Sequence, residues 1–582
     1  MVNVKINGIA VSVPEGTTIL AAARQAGIDI PTLCYLKDKN AIGACRICVV
    51  DAAEMRGPTL GPARLVTACV YPVSEGMEVQ TNSDAVRKAR KMNLELILST
   101  HDRKCLSCKK SGYCELQRLC LEYGIQEENR FDGSKPAYEK DVTPWLVRDN
   151  NKCILCRRCV ATCEYQSTAV IGANQRGFDT SIGCAFEGKL EDSACMACGQ
   201  CIVACPTGAL MENDSTADVF KALNDPKKTV IVHTAPAVRA TLGEAFGMPI
   251  GTNSEGKMVA ALRRLGFDKV FDTNFAADLT IWEEATELLE RIQNKGVLPM
   301  ITSCSPGWVK FCEHQFPDQI DHLSSCKSPQ QMASALIKTY YAEKMGLDKD
   351  NLVVVSVMPC VAKKFEIRRD DQDASGNYDT DISITTRELA RMINAAGINY
   401  DLLPEETFDN PLGDYTGAAV IFGATGGVME AAVRYAYQAL EGKPLENVDL
   451  VACRGTDAIK EATVKMGGMD VKVAIASGGK AAREVMEKIA SGEADWTFVE
   501  IMGCPGGCVN GGGQPFQPAS VRANVNLAAL RASALYTIDE KKTVRASQDS
   551  EVCKTLYAEY LGKPGSEKAH HLLHTTYVKR GK

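Results

Sequence analysis

The sequence predicts a multidomain chain of mixed α/β and α+β class, with small cysteine-bearing modules ahead of one large α/β domain. Three observations predict it. Of 25 cysteines, seventeen lie in residues 34–205 and eight in the 377 residues that follow. Two of the early cysteine runs repeat one spacing. Beyond residue 215, apolar strand-like runs alternate with helical patterns, as mostly parallel sheets require. The expected divisions are residues 1–80, 81–140, 141–215 and 216–582.

Residues 2–13 alternate as strands, with Asn7-Gly8 as a hairpin turn. Thr17 or Thr18 caps a short helix, Ile19 to Ala26, which Gly27 ends. With cysteine-bearing loops after it, this is the order of a plant-type ferredoxin (β-grasp) domain. Cys34, Cys45, Cys48 and Cys69 suit a 2Fe–2S cluster, although ten residues separate Cys34 from Cys45 where the plant-type signature has four. Structural zinc is the alternative. Residues 85–98 read as a helix leading into His101, and 121–150 as a polar loop with a hinge at 133–136. His101, Cys105, Cys108 and Cys114 read alone as a zinc set. Between two iron–sulfur domains they read instead as a 4Fe–4S site whose histidine tunes its potential.

The strongest signal is doubled. Cys153, Cys156, Cys159 and Cys163 repeat as Cys195, Cys198, Cys201 and Cys205. In bacterial two-cluster ferredoxins the fourth cysteine of each run serves the other cluster. Cys153, Cys156 and Cys159 are therefore expected with Cys205, and Cys195, Cys198 and Cys201 with Cys163. Glu164 stands where proline is usual and removes no ligand. Cys120 and Cys184 have no obvious partners. Cys312, Cys326, Cys453 and Cys553 read as buried hydrophobes, and His570, His571 and His574 as a surface helix end. A long chain that enters a strand at once, with no secretory leader, argues for metal over disulfides and for the cytoplasm. A net charge of −6 argues against nucleic-acid and anionic-membrane partners. No apolar run approaches the roughly 18 residues of a membrane span.

In the large domain, strands are expected at 229–233, 297–301, 352–358, 417–422, 471–476 and 497–502. Such sheets bind ligands at their carboxyl ends. Cys304, Cys360, and Cys504 with Cys508 each follow one of these runs, so distant segments are expected to converge. Residues 302–308 read Thr-Ser-Cys-Ser-Pro-Gly-Trp and 358–366 read Met-Pro-Cys-Val-Ala-Lys-Lys-Phe-Glu. Residues 500–515 read Glu-Ile-Met-Gly-Cys-Pro-Gly-Gly-Cys-Val-Asn-Gly-Gly-Gly-Gln-Pro. These resemble the three signature motifs of the iron-only (FeFe) hydrogenases, in order, and the cluster modules resemble those of the long members.

The resemblance implies reversible hydrogen oxidation at an H-cluster: a 4Fe–4S cubane joined through a cysteine sulfur to a two-iron site with CO, CN and a bridging azadithiolate. One 2Fe–2S and three 4Fe–4S clusters would complete the wire. By resemblance, Cys360, Cys504 and Cys508 ligate the cubane, with Cys508 bridging. Lys363 hydrogen-bonds a cyanide, and Met358, Met502, Pro236 and Gln330 line the cofactor. Most members have two adjacent cysteines in the first motif, a proton relay and then a cubane ligand. Here the pair is Cys304 and Ser305. Cys304 shifts to ligate, Ser305 binds through oxygen, or the cubane is under-ligated. Ala237 replaces a serine common near the dithiolate. Cys304, Glu284, Ser324, Glu287 and Arg291 occupy the family's proton-relay positions. Read alone, Glu284, Glu287 and Arg291 on one helical face are a solvated ion-pair face.

Hydrogen and protons are then the substrates. The electron partners are ferredoxin and/or NADH-dehydrogenase-like flavoprotein subunits in a hetero-oligomer, because no G-x-G-x-x-G nucleotide fingerprint is apparent in this chain. A hydrogen-sensing regulator and a non-catalytic iron–sulfur relay or assembly protein are the alternatives.

Overall fold

The computed structural model describes residues 1–125 and 131–581. Strands Val2–Ile6 and Ile9–Val13 pair antiparallel about Asn7 and Gly8, whose φ angles of 50° and 84° make the two-residue turn. They extend a five-stranded sheet ordered Ile9–Val13, Val2–Ile6, Glu78–Gln80, Val49–Ala53, Arg64–Thr67. Val4, Ile6, Val11 and Val13 face inward at period two, and helix Ile19–Gln25, capped by Thr18, packs on them.

Helix Asp84–Leu98 leads to His101. The loop expected over 121–150 needs correction at both ends: residues 121 and 122 finish helix Glu115–Glu122, and strands Asp141–Val142 and Leu146–Arg148 pair near its close, while residues 126–130 lie outside the described residues. The expected hinge is also corrected. A Cβ on Gly133 would lie 2.5 Å from Thr100, and Lys135 Nζ donates to the carbonyls of Asn150 and Cys153 at 2.6 and 3.0 Å. The glycine there serves close approach, and the segment is pinned. Helices Arg158–Tyr165 and Gln200–Ala204 pack together, and strand Leu210–Glu212 pairs with Leu146–Arg148 beside them.

The large domain holds two four-stranded sheets. One is wholly parallel, ordered Lys269–Asp272, Thr229–Thr234, Leu352–Met358, Ile382–Thr385. The other is ordered Met300–Ile301, Phe498–Met502, Met469–Ser477, Ile459–Met466, with only the last pair antiparallel. The strand expected at 417–422 is instead helix Gly417–Val420 and a 3₁₀ turn, Ile421–Gly423. The run is buried on every side, and an unbroken apolar run does not distinguish a buried strand from a buried helix. The 297–301 strand shrinks to two residues because Pro299 lacks a ladder donor. Helix Asn274–Gln293 packs against helices Pro329–Leu336 and Gly427–Glu441. Among the described residues, no helix is long and apolar enough to cross a membrane.

Candidate active site

The carboxyl ends of both sheets open on one cavity of about 80 Å³. Thr229–Thr234 leads to Pro236, Leu352–Met358 to Cys360, Met300–Ile301 to Cys304 and Ser305, and Phe498–Met502 to Cys504 and Cys508. Met358, Met502, Gln330 and Lys363 complete the lining named by the sequence. Ala237 packs just behind it.

Burial pushes Cys508 up to about 12 and raises Cys360 and Cys504 as well. A metal that takes these thiols must displace their protons. Glycines bring the backbone in: a Cβ on Gly511 would lie 2.3 Å from the Pro359 carbonyl, and one on Gly507 2.6 Å from Thr425 N. Four thiols and two thioethers around a largely apolar cavity form a soft donor set, which fits an iron–sulfur cofactor. Lys363 Nζ donates to Glu366 at 3.0 Å and to the Cys304 carbonyl at 3.1 Å. Glu366 also accepts from Ser328 Oγ and Gln330 Nε2, each at 2.8 Å. Glu366 closes the second quoted motif, yet sequence reasoning gave it no role. Its signal was its place three residues after Lys363, on the same helical face.

Ser305 Oγ accepts the Gly503 N–H at 3.1 Å, directly before Cys504. Cys304 lines the same cavity and, like Cys508, also packs against the core that runs beneath it. Its thiol is raised by burial and then by the charge of Glu284. Glu284 is 1% exposed, and neither carboxylate oxygen has a hydrogen-bond partner. Burial, then the neighbouring Glu287 charge, raises it to about 8. Farther out, Ser324 Oγ donates to Glu287 at 2.9 Å and Arg291 Nη2 donates to it at 2.6 Å. A solvated ion-pair face describes only the outer part of this file.

The remaining motif cysteines gather into four sets. Thiol hydrogen bonds link Cys34 to Cys45 and Cys69, and Cys69 to Cys48; they lower Cys34 and Cys48 and raise Cys45 and Cys69. Burial and then Lys135 lower His101 to about 4, which keeps its imidazole neutral, as a metal ligand must be, and its Nδ1 is buried without a partner. Cys105, Cys108 and Cys114 follow on the adjoining loop, and Cys120 lies near enough to feel the charges of Cys114 and Cys105. Cys153, Cys156, Cys159 and Cys205 line one small cavity. Cys163, Cys195, Cys198 and Cys201 line another.

The joints between sets are close. Asn40 Nδ2 donates to the Cys34 carbonyl at 2.7 Å and the Cys156 carbonyl at 3.0 Å. A Cβ on Gly208 would lie 2.5 Å from Cys108 Sγ, and one on Gly512 2.3 Å from the Cys198 carbonyl. Cys504 Sγ itself lies 3.9 Å from that carbonyl.

Residues 228–512 match the family described as iron only hydrogenase large subunit, C-terminal domain, and 525–580 match iron hydrogenase small subunit. Sequence reading did not make that second division. Residues 1–84 match a 2Fe-2S iron-sulfur cluster binding domain, 90–129 the NADH-ubiquinone oxidoreductase-G iron-sulfur binding region, and 152–209 a 4Fe-4S dicluster domain. The chain is 48% identical to the NADP-reducing hydrogenase subunit HndD of Solidesulfovibrio fructosivorans, over 100% of this chain and 99% of that one. It is 43% identical to iron hydrogenase 1 of Clostridium pasteurianum, over 100% of both. Among solved structures, a variant of the [FeFe]-hydrogenase HydA1 of Chlamydomonas reinhardtii matches at TM-score 0.57 and 40% identity, over 64% of this chain and 100% of that one.

Proposed function

Because the chain belongs to the FeFe hydrogenase family, and so interconverts hydrogen with protons and electrons, we propose that it does this as one subunit of a hetero-oligomer. Electrons would pass through one 2Fe–2S and three 4Fe–4S clusters to a NADP- or NAD-linked flavoprotein subunit, with ferredoxin as a further partner. Full-length likeness to a NADP-reducing hydrogenase subunit supports this, as does the match of 90–129 to a NADH oxidoreductase region. A nucleotide-linked role supports a cytoplasmic location.

Bound in the cavity between the two sheets, an H-cluster would supply a Lewis-acidic metal with an amine base beside it. The chain's residues do the rest. Cys360, Cys504 and Cys508 would hold the cubane. Ser305 would take the fourth position, because its hydroxyl sits at Gly503 beside Cys504 while Cys304 lies near enough to Glu284 to feel its charge. Lys363, steadied by Glu366, offers an ammonium to an anionic ligand at the wall. Met358, Met502 and Pro236 exclude water. Cys304, Glu284, Ser324, Glu287 and Arg291 form the proton file.

One observation carries the file: Glu284 is fully buried beside Ser324, with no charged partner to hold it ionised, and can bind and release a proton near neutral pH. The test is an infrared spectrum of fully matured protein under hydrogen and under argon. Iron-bound CO and CN bands that shift with the gas are expected, and their absence where a control hydrogenase shows them would sink the cofactor assignment. The departure at Ser305 also suits a hydrogen sensor, which would show the same bands with slow turnover. For the partner, hydrogen should reduce viologen with this chain alone but NADP only with a flavoprotein added.

A further inference from the structure

The proton file has a side branch that the relay reading does not use. Glu287 Oε2 lies 3.1 Å from Ser325 Oγ, and Ser325 Oγ lies 2.8 Å from His574 Nδ1. His574 Nε2 lies 3.2 Å from Glu283 Oε2. Glu283 is 1% exposed and also accepts from the Tyr557 hydroxyl and from Gly565 N–H, the latter at 2.9 Å. His574 also stacks on the ring of His570, with centroids 4.6 Å apart. Glu283 and Glu287 come from helix Asn274–Gln293, and His574 follows helix Glu567–Leu573 near the end of the chain.

The chemistry of the neighbours sorts their roles. Arg291 pairs with Glu287 but does not give up its proton in proteins, so it steers the carboxylate without carrying anything. Imidazole both accepts and releases near neutral pH. Glu287, Cys326 and His574 also stand within 4.8 Å of one another, a spacing a cation could bridge. But Arg291 already neutralises Glu287, and both imidazole nitrogens are engaged, so the cluster reads as a proton network.

We propose that Glu287 and His574 share a proton through the Ser325 hydroxyl, so that His574 stores one proton beside the relay while a second follows. Each hydrogen molecule releases two protons into one file. A protonated Glu287 gives its proton to Ser325 Oγ as that hydroxyl gives its own to His574 Nδ1. The proton count is unchanged: a carboxylate remains facing Arg291, and an imidazolium faces Glu283. The step runs backward when protons are consumed. This rests on the relay reading above.

The test uses matured holoprotein oxidising hydrogen with methyl viologen. Ser325→Ala and His574→Gln should each lower kcat about tenfold at unchanged KM for hydrogen, with a larger solvent deuterium isotope effect and unaltered CO and CN bands. Imidazole in the buffer should restore rate to His574→Gly but not to Ser325→Ala/His574→Gly. Parent-like rates and isotope effects in Ser325→Ala and His574→Gln, with Glu287→Gln still slow, would remove the store and leave the relay standing. Slow variants with no imidazole rescue would mark His574 as merely structural and also overturn the proposal. If Glu287→Gln is parent-like too, the relay reading itself has failed.

Discussion

A carboxyl enclosed as Glu284 is, where burial outweighs the nearby Ser324 hydroxyl and Ser303 backbone, keeps its proton long after an exposed one would lose it. Its ordinary value of 4.5 is raised to about 8 in the fold. Between those values the unfolded chain has released the proton and the folded chain has not, so this group costs stability as pH rises from about 4.5 to about 8. Glu284→Gln removes that cost. Its melting temperature relative to the parent should climb across the window and level off above it, while hydrogen turnover falls about 10²-fold or more; calorimetry against pH and a turnover assay check the pair. Ser305 makes a second residue-scale prediction. A hard oxygen ligand favours oxidised iron more than soft thiolate does. Ser305→Cys should therefore raise the cubane's reduction potential in an EPR-monitored titration, and an unchanged potential would remove Ser305 from the ligand set.

At the scale of elements, function sits in the turns that leave the strands. The turn at Gly512 presses on the Cys198 carbonyl with no room for a methyl group. Arg387 clamps the same turn, donating to the Gly512 and Gln514 carbonyls at 2.8 and 2.6 Å while paired with buried Glu212. Gly512→Ala must push the two-cluster segment away from the catalytic turn. Stopped-flow reduction by hydrogen should show the iron–sulfur absorbance bleaching several-fold more slowly, with intact CO and CN bands. Such close approaches were invisible in the sequence, where Gly511-Gly512-Gly513 reads only as motif. Local chemistry was legible: the hairpin at Asn7-Gly8, the Thr18 cap and the long apolar strands each announce themselves within a few residues. What escaped depended on partners far away. Strand Lys269–Asp272 is short and carries charge at both ends, and the 417–422 run is helical because of what surrounds it. Glu366, Ser325 and His574 acquire meaning only when residues 36 to 291 positions away arrive beside them.

Across the whole molecule, the four N-terminal cysteine sets and the cavity between the two sheets stood out from spacing and motif alone, because each ligand run is local. The joints between them did not, since a joint is one side chain answering another domain. Asn40 is such a joint, and Asn40→Ala should strip a donor from two carbonyls and weaken the seam by about 1–3 kcal/mol. Denaturant titration followed by visible circular dichroism should then show the 2Fe–2S signal lost ahead of the rest, whereas the parent loses them together. Viologen-linked turnover should persist. The two-cluster segment carries a different consequence. Cys163 lies in helix Arg158–Tyr165 yet lines the cavity of the later run, and Cys205 follows helix Gln200–Ala204 yet lines the cavity of the earlier one. Each half is a hostage of the other. If each cavity holds a cluster on its four cysteines, losing one cluster would slacken the strap around its twin, and the pair would be lost together rather than one by one.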